Sequence, residues 1–63
     1  MKRYEEAQNY IDNGMTTYEE ILADVKDIAT DEELRASMIG QAGSLEEYAG
    51  EIYEAVLDII NEE

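Results

Sequence analysis

The sequence predicts an all-α protein, a compact bundle of three to four short helices forming a single acidic domain over residues 1–63. Three observations predict it. Apolar residues recur at spacings of three and four along most of the chain, the period of a helix that buries one face. Start signals in which a threonine or serine precedes acidic residues occur at Thr17, Thr30 and Ser44. Proline is absent and glycine stands only at 14, 40, 43 and 50, so little interrupts the helical segments. No strand-like alternation survives beside these patterns.

The first helix is expected over Tyr4 to Ile11, with Tyr4, Ala7 and Ile11 on one face. Asn13-Gly14 stops it, because glycine readily takes the left-handed conformation of a helix end. Thr17-Tyr18-Glu19-Glu20 fits a capping box, in which the threonine oxygen accepts from a free backbone N–H and the glutamate reaches back. Ile21, Leu22, Val25, Ile28 and Ala29 then supply a second apolar face. Thr30-Asp31-Glu32-Glu33 repeats the start signal and marks either a sharp corner or a continuation of the same helix. Leu34, Met38 and Ile39 would give a short third helix its apolar side. The last helix begins with Ser44-Leu45-Glu46-Glu47 and lays Leu45, Tyr48, Ala49, Ile52, Val56, Ile59 and Ile60 on one face.

Seventeen acids oppose four bases, for a net charge of −13. The imbalance grows along the chain, from −1 over residues 1–15 to −5 over 16–35 and −7 over 36–63, the last with no base at all. Direct binding to nucleic acid or an anionic membrane is disfavoured, since affinity there comes from Lys and Arg neutralising phosphate. The same field steers the chain toward a basic groove. Disorder is rejected for most of the chain, because 44% of residues are hydrophobic and fall at helical spacing. No cysteine is present, so disulfides and thiolate metal sites are excluded. Met1-Lys2-Arg3 runs directly into Tyr4-Glu5-Glu6 with no apolar stretch, which speaks against a secretory signal, and no run suits a membrane span. The cytoplasm is the expected location.

An acidic pattern occurs twice, 27 residues apart: Glu19, Glu20, Asp24, Asp27 and Asp31 match Glu46, Glu47, Glu51, Glu54 and Asp58. On a helix, Glu47, Glu51, Glu54, Asp58 and Glu62 line one face within about 80°. Glu20, Asp24 and Asp27 begin the same stripe in the earlier copy. The stripe from Glu47 to Glu62 spans about 22 Å, with successive charges about 4.5–6 Å apart. That is coarser than the one charge per ~1.7 Å of a nucleic-acid duplex, and two such faces together approach it. Acids on an outward helix face are ordinarily just solvated. The scarcity of balancing Lys and Arg separates this chain from that case, since a merely soluble surface mixes both signs.

Other chemistries fit less well. With no His and no Cys the usual base and thiol nucleophile are missing, and the acids sit on predicted outer faces rather than across a cleft, so no enzyme is expected. The best calcium-loop register places Asn9, Ile11 and Asn13 at the first three ligand positions, Gly14 at the turn and Glu20 at the end. Ile11 cannot ligate, and Thr16 replaces an expected apolar residue, so neither metal nor cofactor is assigned. Gly43-Ser44-Leu45-Glu46 looks superficially like the phosphopantetheine attachment motif of acyl carrier proteins, whose serine follows an aspartate. Here Gly43 takes that place, and Ser44 reads as a helix cap partnered by Glu47.

Tyr48 and Tyr53 fall on the two flanks of the last apolar face, where a ring packs and its hydroxyl meets water. They suit an interface anchor or the border of a small core equally well. Residues 36–45 carry no charge, offering the one stretch that a partner can approach without repulsion, or simply a turn rich in glycine.

The segment Ser44-Leu45-Glu46-Glu47-Tyr48-Ala49-Gly50-Glu51-Ile52 resembles acidic helical stretches of plasmid antirestriction proteins, and the chain as a whole looks like the small acidic anti-defence proteins of phages and plasmids. Those DNA-mimic inhibitors of restriction or CRISPR nucleases are in part much longer, so their fold is not carried over. The resemblance implies occupation of a basic nucleic-acid site, in a host bacterial cytoplasm if the protein is phage-encoded. The expected partner-binding residues are Glu46, Glu47, Glu51, Glu54 and Asp58 in place of phosphates, Glu20, Asp24 and Asp27 in support, and Tyr48 and Tyr53 as anchors. The rival readings are a protein–protein adaptor or antitoxin-like subunit that binds through an apolar helix face, and a homodimer or larger bundle with no inhibitory role.

Overall fold

The computed structural model describes residues 3–62, in four α-helices. Met1 and Lys2, weighed above as a start and as one of the four bases, lie outside the described residues, as does Glu63. The all-α class and the count of four are as expected. The helices are α1 (Tyr4–Asp12), α2 (Tyr18–Ile28), α3 (Glu32–Ala42) and α4 (Leu45–Glu62), and each of the first three packs against the fourth.

α1 ends through its last carbonyls. Gly14, at φ +75°, lets its own N–H donate to Ile11 O at 3.0 Å and the Met15 N–H to Tyr10 O at 2.8 Å. These are the paired bonds of a Schellman motif, which satisfy carbonyls that have no partner further along the helix. The Asn13 side-chain amide also donates to Asn9 O at 2.7 Å.

α2 starts on its threonine cap. The Glu20 N–H donates to Thr17 Oγ1 at 3.2 Å. The second half of the expected box differs, because the Glu20 carboxylate accepts the Thr17 hydroxyl at 2.8 Å rather than a backbone N–H. The threonine is thereby donor and acceptor within one turn.

The third start signal is a true corner, and it lies one residue later than expected. Asp31 caps α3, its Oδ1 accepting from the N–H groups of Glu33 at 2.9 Å and Leu34 at 3.2 Å. Thr30 instead finishes α2, its hydroxyl donating to Asp27 O at 2.8 Å. A carboxylate is a stronger acceptor than a hydroxyl for amides at the positive end of a helix, so the aspartate takes the cap. α3 then runs through most of the uncharged stretch, to Ala42. The glycine-rich turn narrows to Gly43 and Ser44. Gly43 adopts φ +100°, a conformation that other residues reach only with strain. The Ser44 hydroxyl oxygen accepts from the Glu47 N–H at 3.1 Å and opens α4.

The core is small. Ile21 and Val25 of α2 meet Ile52 and Val56 of α4 with almost no exposed surface, and Ala7, Ala29, Met38, Ala49 and Ala55 complete the buried set. Each of the four large side chains contributes roughly 1.5–3 kcal/mol by leaving water. α3 contributes one side chain to the core: Met38 is its single buried residue among those described, while Leu34 and Ile39 stay exposed. Their side chains sit about 140° around the helix from one another, too far apart for one narrow contact to cover both. Ile60 likewise lies outside the core, at 44% exposure, and Ala55 takes a buried place that its size did not advertise.

The two glycines bordering the last turn have opposite roles. Gly40 lies inside α3 with nothing within 4 Å of the place a Cβ would take, whereas a Cβ on Gly43 would lie 2.7 Å from Glu47 Oε2. Gly40→Ala is expected to stabilise the protein by about 0.5–1 kcal/mol, and Gly43→Ala to destabilise it by about 1 kcal/mol. Urea unfolding midpoints of both variants check the pair.

Candidate acidic interface

The outward side of α4 is set by its inward side. With Ala49, Ile52 and Val56 buried, a 100° advance per residue turns Glu47 and Glu54 away from the core. Both are exposed, as is Glu46 nearer the apolar edge. On α2, burial of Ile21 and Val25 leaves Glu20 and Asp27 exposed in the same way.

Not all of the stripe is free surface. Glu51 and Asp58 are half-buried beside α1. Arg3 Nε donates to Glu51 Oε1 at 2.9 Å and Arg3 Nη1 to Glu6 Oε2 at 3.3 Å, while the guanidinium lies 4.4 Å from the centroid of the Tyr48 ring. The Tyr4 hydroxyl donates to Asp58 Oδ2 at 3.3 Å. The Arg3 side chain is only 15% exposed against 39% for Glu51. Burial works against its charge, but the bonds to Glu51 and Glu6 outweigh that and leave the guanidinium pKa raised.

The tyrosine anchors also have partners within the chain. Tyr48 carries Arg3 on one flank of α4. Tyr53, on the other flank, meets the edge of Tyr18 with ring centroids 6.0 Å apart and planes at 74°. The Tyr18 hydroxyl reaches Glu46 O at 3.2 Å. α1 and α2 therefore flank α4 on opposite sides of its buried face, and the carboxylates of Glu47 and Glu54 lie on its far side, turned away from both.

Asp24 is half-buried and accepts the Tyr10 hydroxyl. The Tyr10 pKa is raised, first by burial and then by the bond to the aspartate and its charge. Among the described residues no three carboxylates come together in a way that holds a metal ion. Nor is any described helix long and apolar enough to cross a membrane.

The structure thus divides the ten expected partner-binding residues. Glu20, Asp27, Glu46, Glu47 and Glu54 are exposed, whereas Asp24, Glu51, Asp58, Tyr48 and Tyr53 are partly buried and engaged by α1 or α2. The missing information was the identity of the engaging residues, Arg3, Tyr4, Tyr10 and Tyr18. Arg3 and Glu51 are 48 positions apart, and helical periodicity says nothing about such a pair. The sole sequence signal is that a guanidinium next to a tyrosine, in a chain so short of bases, has many carboxylates to choose from.

Comparison with protein-family models, curated protein sequences and solved structures finds no match to the chain.

Two predictions concern these contacts. A double-mutant cycle of Arg3→Met and Glu51→Gln is expected to give a coupling of about 0.5–1 kcal/mol that shrinks with added salt, since half-exposed pairs are screened. The second concerns Tyr10. The folded state holds its proton more tightly than the unfolded chain, where a tyrosine releases it near pH ~10. Its contribution is therefore complete below about pH 10 and is lost as the pH climbs toward the raised folded value. Wild-type stability should fall between about pH 9.5 and 11 more steeply than that of Tyr10→Phe, read from urea midpoints.

Proposed function

We propose that the chain is an inhibitor that occupies the nucleic-acid-binding site of a basic protein, with carboxylates standing where phosphates bind. The observation that carries this reading is the separation of charge by side. Glu46, Glu47 and Glu54 of α4 and Glu20 and Asp27 of α2 are exposed, while Arg3 is turned inward on Glu51, Glu6 and Tyr48. An ordinary soluble surface alternates signs, whereas α4 carries no base at all, and the exposed bases among the described residues are Lys26 on α2 and Arg35 on α3. A channel built to neutralise phosphate gains from such a face the counterion release and diffusional steering that it gains from nucleic acid. The resemblance to anti-defence proteins suggests a restriction or CRISPR nuclease as the target class. In this reading the protein has no catalytic role and does not bind nucleic acid itself.

One observation favours a second reading. Leu34 and Ile39 of α3 and Leu57 and Ile60 of α4 are exposed at 37–48%, much apolar surface for so short a chain. An adaptor or antitoxin-like subunit, or a homodimer, would use such side chains in place of the carboxylates.

A pull-down from bacterial lysate, with this chain as bait, separates the two. The inhibitor reading expects a nucleic-acid-binding protein that duplex DNA or RNA displaces, and expects Glu47→Lys with Glu54→Lys to lose at least about tenfold in affinity for it. A partner that resists duplex and salt, survives that charge reversal and is lost with Leu34→Glu and Ile39→Glu would replace it with the adaptor reading.

A further inference from the structure

A groove of about 560 Å³ lies between α1 and α2, away from the outward face of α4. Tyr10 and Asn9 line it from α1, Asp24 and Ile28 from α2, and Asn13 and Met15 from the connection between them. The connection is held in place, because the Met15 N–H is fixed to Tyr10 O and the Asn13 amide to Asn9 O. Asp24 Oδ2 accepts the Tyr10 hydroxyl, and Oδ1 has no hydrogen-bond partner among the described residues. Among the described residues no basic side chain lines it. Glu6 closes one edge, with its charge shared with Arg3 at 3.3 Å.

The chemistry of this lining is specific in kind. A carboxylate with a free oxygen asks for a cation. An aromatic ring and two side-chain amides suit a planar cation that can stack and donate in several directions, which a guanidinium does and a compact, strongly hydrated ammonium does less well. Met15 and Ile28 offer apolar contact for an aliphatic stem. We propose that the groove is a binding subsite for an arginine side chain, supplied by the basic partner. The proposal deepens the inhibitor reading and rests on it for the source of the arginine. It assigns Asp24 Oδ1 to the charged contact with the guanidinium, Tyr10 to the stack, and Met15 and Ile28 to the stem. Tyr10 is a positioning residue as well, because its hydroxyl fixes the Asp24 carboxylate before the cation arrives.

The test uses the intact chain and a small probe in place of the partner. N-acetyl-arginine N-methylamide is titrated into isotopically labelled protein at about 0.15 M salt, where diffuse attraction is screened. The neutral isostere N-acetyl-citrulline N-methylamide and the corresponding lysine amide serve as comparisons. The expected result is saturable movement of the Tyr10, Met15, Asp24 and Ile28 amide resonances, with a dissociation constant on the order of millimolar as befits one side chain. Citrulline should produce none of it, lysine should bind several-fold more weakly, and Asp24→Asn should weaken the arginine probe at least about tenfold. Tyr10→Phe keeps the ring but releases the Asp24 carboxylate and should weaken the arginine probe several-fold. Gly40→Ala, outside the groove, should retain full binding. Amide spectra of Asp24→Asn and Tyr10→Phe that match wild type outside the groove separate loss of the site from loss of the fold.

Equal response to citrulline would overturn the charge assignment, and equal response to lysine would overturn the guanidinium. Equal movement at Glu47 and Glu54 would replace the groove by general attraction to acid. Because no partner protein enters this experiment, its failure leaves the reading of the α4 face standing. Conversely, a groove that binds the probe in a chain whose captured partner ignores duplex would sink that reading alone.

Discussion

Charge can be placed nowhere but outside in this protein. Seventeen acids share a 63-residue chain in which nine of the described residues are buried, all of them apolar. Among the described residues no polar or charged side chain is buried, as the cost of desolvating an unpaired carboxylate requires. Each helix can then afford only one apolar face, and those faces must find one another. α4 is the longest and has the most apolar stripe, so the other three helices assemble on it. The acids of α4 are consequently pressed onto its far side, and their density there follows from the core rather than being added to it.

The helix ends were largely legible because their chemistry is local. Asn13-Gly14, Thr17 with Glu20, and Ser44 with Glu47 each act within a few residues, and each acts near its expected position. The corner at Thr30-Asp31 was legible as a corner but not as to which residue caps, since both side chains can bond to backbone and only competition between them decides. α3 was the hardest element to read. Its apolar residues do not gather on one side, and Gly40 imitates a turn while remaining helical.

The candidate site was legible in its outward half. Helical period alone turns Glu20, Asp27, Glu47 and Glu54 toward solvent. It cannot tell that α1 crosses the flank of α4 and engages Glu51 and Asp58, or that Tyr10 claims Asp24. Those contacts link positions 14 to 54 residues apart and depend on how two helices cross. They also change the meaning of the acids involved. Glu51 holds Arg3 in place and thereby fixes α1, while Glu47 and Glu54 have no such structural duty and are free to meet a partner. A single stripe in the sequence is thus two sets of residues with different work.

The central claim is that the exposed carboxylates act collectively, as phosphates do. It is tested most directly by the salt dependence of binding to the captured partner. If the claim holds, log affinity falls linearly with log salt for this chain, as it does for a duplex on the same protein, and Glu47→Gln with Glu54→Gln makes the slope shallower. An affinity indifferent to salt, or a slope unchanged by that pair, would contradict the claim and shift the contact to the apolar side chains of α3.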